Sequence, residues 1–222
     1  MTFKEALYDI RESVKALNID SDLTDRQIAF LMRIFRSLVI RQFITNNPGE
    51  NREMLTQTLR MELELVDRSR FPSYITTGTT LLSTKITLPN IVGPMMYKHI
   101  DIRPVDIIGT EIEFIHKSRA VDIEFAPVNF IYGFREDDGK IYLVSSNSQY
   151  KNLTSVNVTA VFENPEEVHE LNGFLTDLDV YPITSNLWVN IKEMILQHIV
   201  KEMSIPIDTI SNKNDEQLSE RT

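Results

Sequence analysis

The sequence predicts an α+β fold: an amino-terminal helical bundle, a central mainly antiparallel β region with long loops, and a carboxy-terminal helix with an extended tail. Three observations predict it. Apolar residues recur at three- and four-residue spacing as far as about residue 67. Between residues 69 and 164 the composition turns to Thr, Ile, Val, Tyr and Phe punctuated by Pro72, Pro89, Pro94, Pro104 and Pro127. Helical spacing then returns from Ser185 to Ser204. The expected regions are a helical one at 1–68, a β-rich one at 69–165, a carboxy-terminal helical one at 166–204 packing on the first, and a flexible docking tail at 205–222.

The first helix follows from a capping box, Thr2 with Glu5, and from Phe3, Leu7, Ile10, Val14 and Leu17 on one stripe. A second starts near Thr24, with Gln27 as reciprocal cap, and runs through Phe43 to a stop at Asn46-Asn47-Pro48-Gly49. Its apolar residues form two stripes, Ile28, Leu31, Phe35 and Leu38 against Phe30, Ile34 and Phe43, which predicts a helix packed on two sides. Arg26, Arg33, Arg36 and Arg41 read as a solvated flank for carboxylates. Arg33 and Arg36 are candidates for helix packing or subunit contacts. Leu55, Leu59 and Leu63, with Met61 and Leu65, predict a third helix from Asn51 to Asp67.

In the β region, Phe130 to Val144 reads as two strands joined at Asp138-Gly139, a pair that supplies positive φ in a tight hairpin turn. Val156, Val158, Ala160 and Phe162 alternate with Asn157, Thr159 and Val161, a strand with one buried face that Asn164-Pro165 ends. The acidic connection from Glu166 to Tyr181 is expected to be partly helical. Leu187, Trp188, Ile191, Ile195, Ile199 and Val200 make the wide apolar face of the last helix. In the tail, Ile205, Ile207 and Ile210 precede a polar end. This pattern suits an extended arm that docks in a groove of a neighbour.

Composition bounds the function. The 222 residues carry 23 basic and 32 acidic side chains, a net charge of −9, which disfavours general affinity for nucleic-acid phosphates. Without cysteine there is neither a disulfide, a thiolate metal site nor a thiol nucleophile. No apolar run is long enough for a membrane helix, and the amino terminus does not read as a signal peptide. His99, His116, His169 and His198 show no metal-binding spacing, and no phosphate-binding glycine loop or nucleophile elbow is present. No cofactor or metal is expected. The one enzymatic pattern is a metal-dependent nuclease using Asp106, Glu113 and Asp138-Gly139-Lys140. The hairpin turn accounts for the last of these, and catalytic residues are expected to be none.

Several stretches in order resemble a family of virion proteins of the crAss-like phages of gut Bacteroidales, which includes ring-forming head-to-tail connector proteins. They are Leu23-Thr-Asp-Arg-Gln-Ile-Ala-Phe-Leu31 leading to Leu38-Val-Ile-Arg-Gln42, the Gln57 to Asp67 element ending Leu63-Glu-Leu-Val-Asp67, and the Leu81 to Pro89 strand. Ala160-Val-Phe-Glu-Asn-Pro-Glu-Glu167, Tyr181-Pro-Ile-Thr184, the long helix, and a tail with Pro206-Ile-Asp208 and Asn214-Asp215 follow. The resemblance implies a non-enzymatic virion protein, assembled in the host cytoplasm, that forms a cyclic homo-oligomer, as a dodecamer, between portal and tail. Its implied partners are further copies, the portal protein and neighbouring ring or tail proteins, with genomic DNA passing through the lumen without specific binding. The alternatives are the nuclease and a monomeric binding module acting on a host protein.

Overall fold

Both capping boxes form. In the computed structural model the Thr2 N–H donates to Glu5 Oε2 at 2.8 Å and the Glu5 N–H to Thr2 Oγ1 at 3.2 Å, opening α1, Phe3–Ala16. The Thr24 N–H donates likewise to Gln27 Oε1 at 2.8 Å, opening α2, Asp25–Asn46. Each box satisfies amide donors that a helix start leaves orphaned. The structure describes residues 1–17, 23–47, 52–70, 73, 75, 80–93, 100–106, 110–120, 130–145, 147–173 and 180–203. Pro48, Gly49 and the whole tail, with Ile205, Ile207 and Ile210, lie outside them.

The predicted third helix is a strand. A single 3-10 turn, Glu53–Leu55, leads into β1, Gln57–Leu65. Leu59, Met61 and Leu63 are buried, while Thr58, Arg60, Glu62 and Glu64 are exposed. A four-residue spacing is two periods of a strand as well as roughly one turn of a helix, so Leu55, Leu59 and Leu63 fit both. The good helix formers Leu, Met and Glu were overridden by hydrogen bonding along both edges of the segment.

The remaining strands are β2, Thr80–Thr84; β3, Asp101–Pro104; β4, Glu113–Phe114; β5, Tyr132–Arg135; β6, Ile141–Ser145; and β7, Ser155–Ala160. They form one sheet in the order β3-β7-β1-β2-β6-β5-β4, antiparallel except between β4 and β5. β1 serves both halves: residues 57–62 pair with β7 and residues 63–65 with β2. The two edges of the order then meet. Ile112, just ahead of β4, bridges Ile102 of β3, its N–H donating to the Ile102 carbonyl at 3.0 Å. The sheet thus curls into a small barrel, joined between β3 and the start of β4 at a single residue pair.

The barrel interior holds Leu59, Met61, Leu63, Leu82, Ile102, Ile112, Leu143, Val156, Val158 and Ala160. The predicted alternation of Val156, Val158 and Ala160 is the inward face of β7, with Phe162 buried just beyond it. Gly133 of β5 is small because the interior is full. A Cβ there would sit 3.3 Å from both Ile112 Cγ2 and Leu143 Cδ2. The β5–β6 hairpin turns through Asp137-Asp138-Gly139, with Gly139 at φ +78° and its N–H bonded to the Glu136 carbonyl. This is the three-residue loop with a left-handed glycine, where the sequence predicted a turn at Asp138-Gly139.

Beyond the barrel, α3, Pro165–Leu171, starts with proline in its first turn, and α4, Ser185–Met203, packs on α1 and α2. The helical core joins Ile10, Val14, Ile28, Met32, Ile40, Ile191 and Ile195, and Val161 and Tyr181 tie it to the end of the barrel. Trp188 is buried among them and donates its indole N–H to Asp9 Oδ2 at 3.0 Å. Among the described residues, no helix is long and apolar enough to cross a membrane.

Candidate functional site

Helix α2 contacts both the helical core and the end of the barrel, and its four arginines have different fates. Arg36 is not on a solvated flank: its side chain is fully buried. Nη1 donates to the Phe162 carbonyl at 2.7 Å, Nη2 to the Pro182 carbonyl at 3.1 Å, and the guanidinium lies 5.6 Å from the Tyr181 ring centroid. Both carbonyls belong to irregular chain between elements, so neither has a ladder partner on the Arg36 side. A planar fork of donors suits that task. Burial pushes the Arg36 pKa below its ordinary value and that of Tyr181 up to about 12, so the phenol is neutral at neutral pH. Arg36 is therefore held wholly within one copy.

Arg33 Nη2 meets Glu166 Oε2 of α3 at 2.7 Å. Burial raises the Glu166 pKa despite this cation. Arg41 lies 3.6 Å from Glu163 and stays mostly exposed. Arg26 is exposed at the helix start.

Among the described residues, the second apolar stripe of α2 is left half-exposed. Phe30 is 58% exposed, Ile34 46% and Leu38 42%. They follow one another every four residues along the outer face, away from the helical core that holds Ile28, Met32 and Ile40. The sequence assigned Leu38 to the buried stripe; its spacing from Phe30 and Ile34 places it with them, and Phe43 leans back toward the core instead.

Alongside this stripe runs a groove of about 390 Å³ between α2 and the turn before α3, lined by Arg33, Ile34, Ser37, Leu38, Arg41, Glu163 and Asn164. Two polar atoms on its walls are buried and have no hydrogen-bond partner among the described residues, Arg33 Nε and Asn164 Oδ1. Asn164 occupies the cap position of α3, yet its side chain caps nothing. Sequence reasoning did not foresee Glu163 and Asn164 as a groove wall. The Asn164-Pro165 strand end was legible, but the element it would face was not.

The nuclease pattern is not assembled in this way. Asp106 accepts from the Thr154 N–H at 2.7 Å and its hydroxyl at 2.9 Å, and these bonds hold its carboxyl below the ordinary range. Asp138 accepts from the Tyr142 hydroxyl at 2.9 Å and the Lys140 N–H at 2.9 Å, and Lys140 Nζ turns to Glu64 at 3.1 Å. Glu113 stands exposed on β4. Among the described residues there is no group of three or more His, Cys, Asp or Glu able to hold a metal ion.

Comparison with known proteins gives concordant matches. The family model described as "Phage tail ring protein 2" matches residues 5–217. The chain is also similar to "Ring protein 2" of Bacteroides phage crAss001, 24% identical over 225 residues, covering 97% of this chain and 98% of that one.

Proposed function

The chain belongs to the phage tail ring protein 2 family, a structural component of the virion, and from that premise we propose that its copies close into a ring in the connector between portal and tail, a conduit for the genome. The observation that carries this reading is the exposed stripe Phe30–Ile34–Leu38. Nothing among the described residues packs fully over these side chains, and a further copy lying on α2 would cover them. Leaving a row of three large apolar residues in water forgoes roughly 25 cal/mol for each Å² left uncovered. A surface on one copy that meets a different surface on the next generates a ring when the rotation between copies closes. Partners in this reading are further copies, twelve in the closed ring, with the portal and other ring or tail proteins above and below. The acidic composition, −9 per copy, suits a wall past which DNA slides without adhering.

Mass measurement of the purified chain, alone and mixed with its portal protein, tests the reading. A closed oligomer in either sample, with a discrete copy number, is expected. A single-copy mass in both would overturn it.

A further inference from the structure

We propose that the groove beside α2 receives the carboxy-terminal segment of a neighbouring copy, with Ile205, Ile207 and Ile210 covering the Phe30–Ile34–Leu38 stripe. This rests on the ring reading above and names the contact that would hold the ring together.

Four observations point to this occupant. The first is shape. The groove follows α2 from Arg33 to Arg41, and its roughly 390 Å³ suits a few aliphatic side chains better than a whole helix. Phe30 to Leu38 rises about 12 Å along the helix axis. An extended chain from Ile205 to Ile210 covers up to about 17 Å, enough to span the stripe; Ile205 and Ile207 share one face of it, and Ile210 joins them if the chain turns once before it.

The second is hydrogen bonding. Arg33 Nε is a buried donor and Asn164 Oδ1 a buried acceptor, both without partner among the described residues. An extended backbone supplies both complements, a carbonyl for the guanidinium and an N–H for the amide oxygen. A purely apolar occupant would seal these atoms in unpaired, at about 1–3 kcal/mol each.

Charge is the third. Arg41 stands exposed at the groove, 3.6 Å from Glu163, too far for a strong pair. From residue 205 onward the chain carries Asp208, Asp215, Glu216 and Glu220 against Lys213 and Arg221, a net of 2 − 4 = −2.

The fourth is reach, which selects a neighbour over the same copy. α4 packs on the core side of α2, where His198 meets Phe35 with ring centroids 5.6 Å apart. The two residues from Met203 to Ile205 extend at most about 7 Å. That does not carry the first anchor around a helix about 10 Å across to its opposite face. A groove one copy away has no such constraint, and repetition around a closed ring multiplies one weak contact into many.

The absence of native cysteine gives a clean test. A full-length chain carrying Ser37→Cys at the groove and Thr209→Cys among the anchors is assembled under reducing conditions, sized by sedimentation, then mildly oxidised and run denatured. A reductant-sensitive ladder of dimers, trimers and larger species is expected. Adding Leu38→Glu should remove most of it. An internally closed single chain, or no more cross-linking than in a control pairing Tyr8→Cys with Thr209→Cys, would overturn the proposal. So would a ladder that survives Leu38→Glu. Sedimentation separates the two readings: a ring without a ladder rejects the docked segment and leaves the ring intact, whereas no oligomer and no ladder, both alone and with the portal protein present, rejects both.

Discussion

Arg36 is a cation placed inside the molecule with carbonyl oxygens, not a carboxylate, as its hydrogen-bond partners. Its value lies in satisfying two chain segments that would otherwise be buried unpaired. Arg36→Ala removes both donors and opens a cavity, and should cost about 3–5 kcal/mol in chemical denaturation. Arg36→Met keeps the volume and removes the charge, so its cost should be clearly smaller. Equal costs would show that the lost hydrogen bonds, and not the side-chain volume, account for the residue. Arg33, partly exposed and paired with the largely buried Glu166, should matter less to stability than Arg36. The Trp188–Asp9–Lys192 trio makes a second residue-scale case. Burial is the largest single influence on Asp9 and would raise its pKa, but hydrogen bonds from Lys192 at 2.7 Å and Trp188 at 3.0 Å outweigh it and hold the value below the usual carboxylate range. A depressed folded pKa contributes stability above the unfolded value, near pH 4, that is lost as pH falls through the folded one. Asp9→Asn should therefore lose stability at neutral pH, by about 1 kcal/mol or less given the exposure of the pair, and the deficit should shrink below pH 4. Trp188→Ala should cost about 3–5 kcal/mol, because it empties a core position as well. A cost under about 1 kcal/mol would mean the indole contributes little to the folded core.

At the scale of elements, the barrel depends on one glycine and one bridge. β5 can approach β3 and β4 closely because Gly133 projects nothing inward, and Ile102, Ile112 and Leu143 occupy the space a side chain would take. The backbone there is not in the left-handed region, so the requirement is one of volume. Gly133→Val should destabilise by about 1–3 kcal/mol, with Gly133→Ala below it, since the neighbouring methyl groups can yield by a few tenths of an ångström. If Val were accepted at no cost in thermal unfolding, the interior would be looser than its contacts indicate. Helix α2 does the complementary job outside the barrel. One face closes the helical core, Arg36 pins the end of the barrel, and the opposite face is left apolar and exposed.

For the whole molecule, the ring reading sets an expectation for DNA. A protein of net charge −9 has few ways to neutralise phosphates, and the Phe30–Ile34–Leu38 stripe it exposes is apolar. Retention of duplex DNA by the purified protein at physiological salt should be weak or undetectable. Submicromolar affinity that falls steeply as salt is added would defeat the idea of a non-adhesive conduit.

The sequence by itself determined the elements whose signals are local. Thr2 with Glu5 and Thr24 with Gln27 announced two helix starts, Asp138-Gly139 a hairpin, Val156-Val158-Ala160 a strand, and Leu187 to Val200 the last helix, because caps, positive φ and periodicity act within a few residues of one another. The order of weaker motifs along the chain sufficed for the family. Only the tertiary structure decided what depends on distant partners. Leu59 and Leu63 satisfied the spacing of a helix and of a strand alike, and hydrogen bonds to β7 on one side and β2 on the other chose the strand. Arg36 and Arg41 look alike as two cations of one helix read without its neighbours. The carbonyls of Phe162 and Pro182, more than a hundred residues away, drew the first inside, and the groove at Glu163 and Asn164 left the second in solvent. Amphipathic pattern tells which side chains seek cover, and tertiary contacts decide which of them find it within one chain.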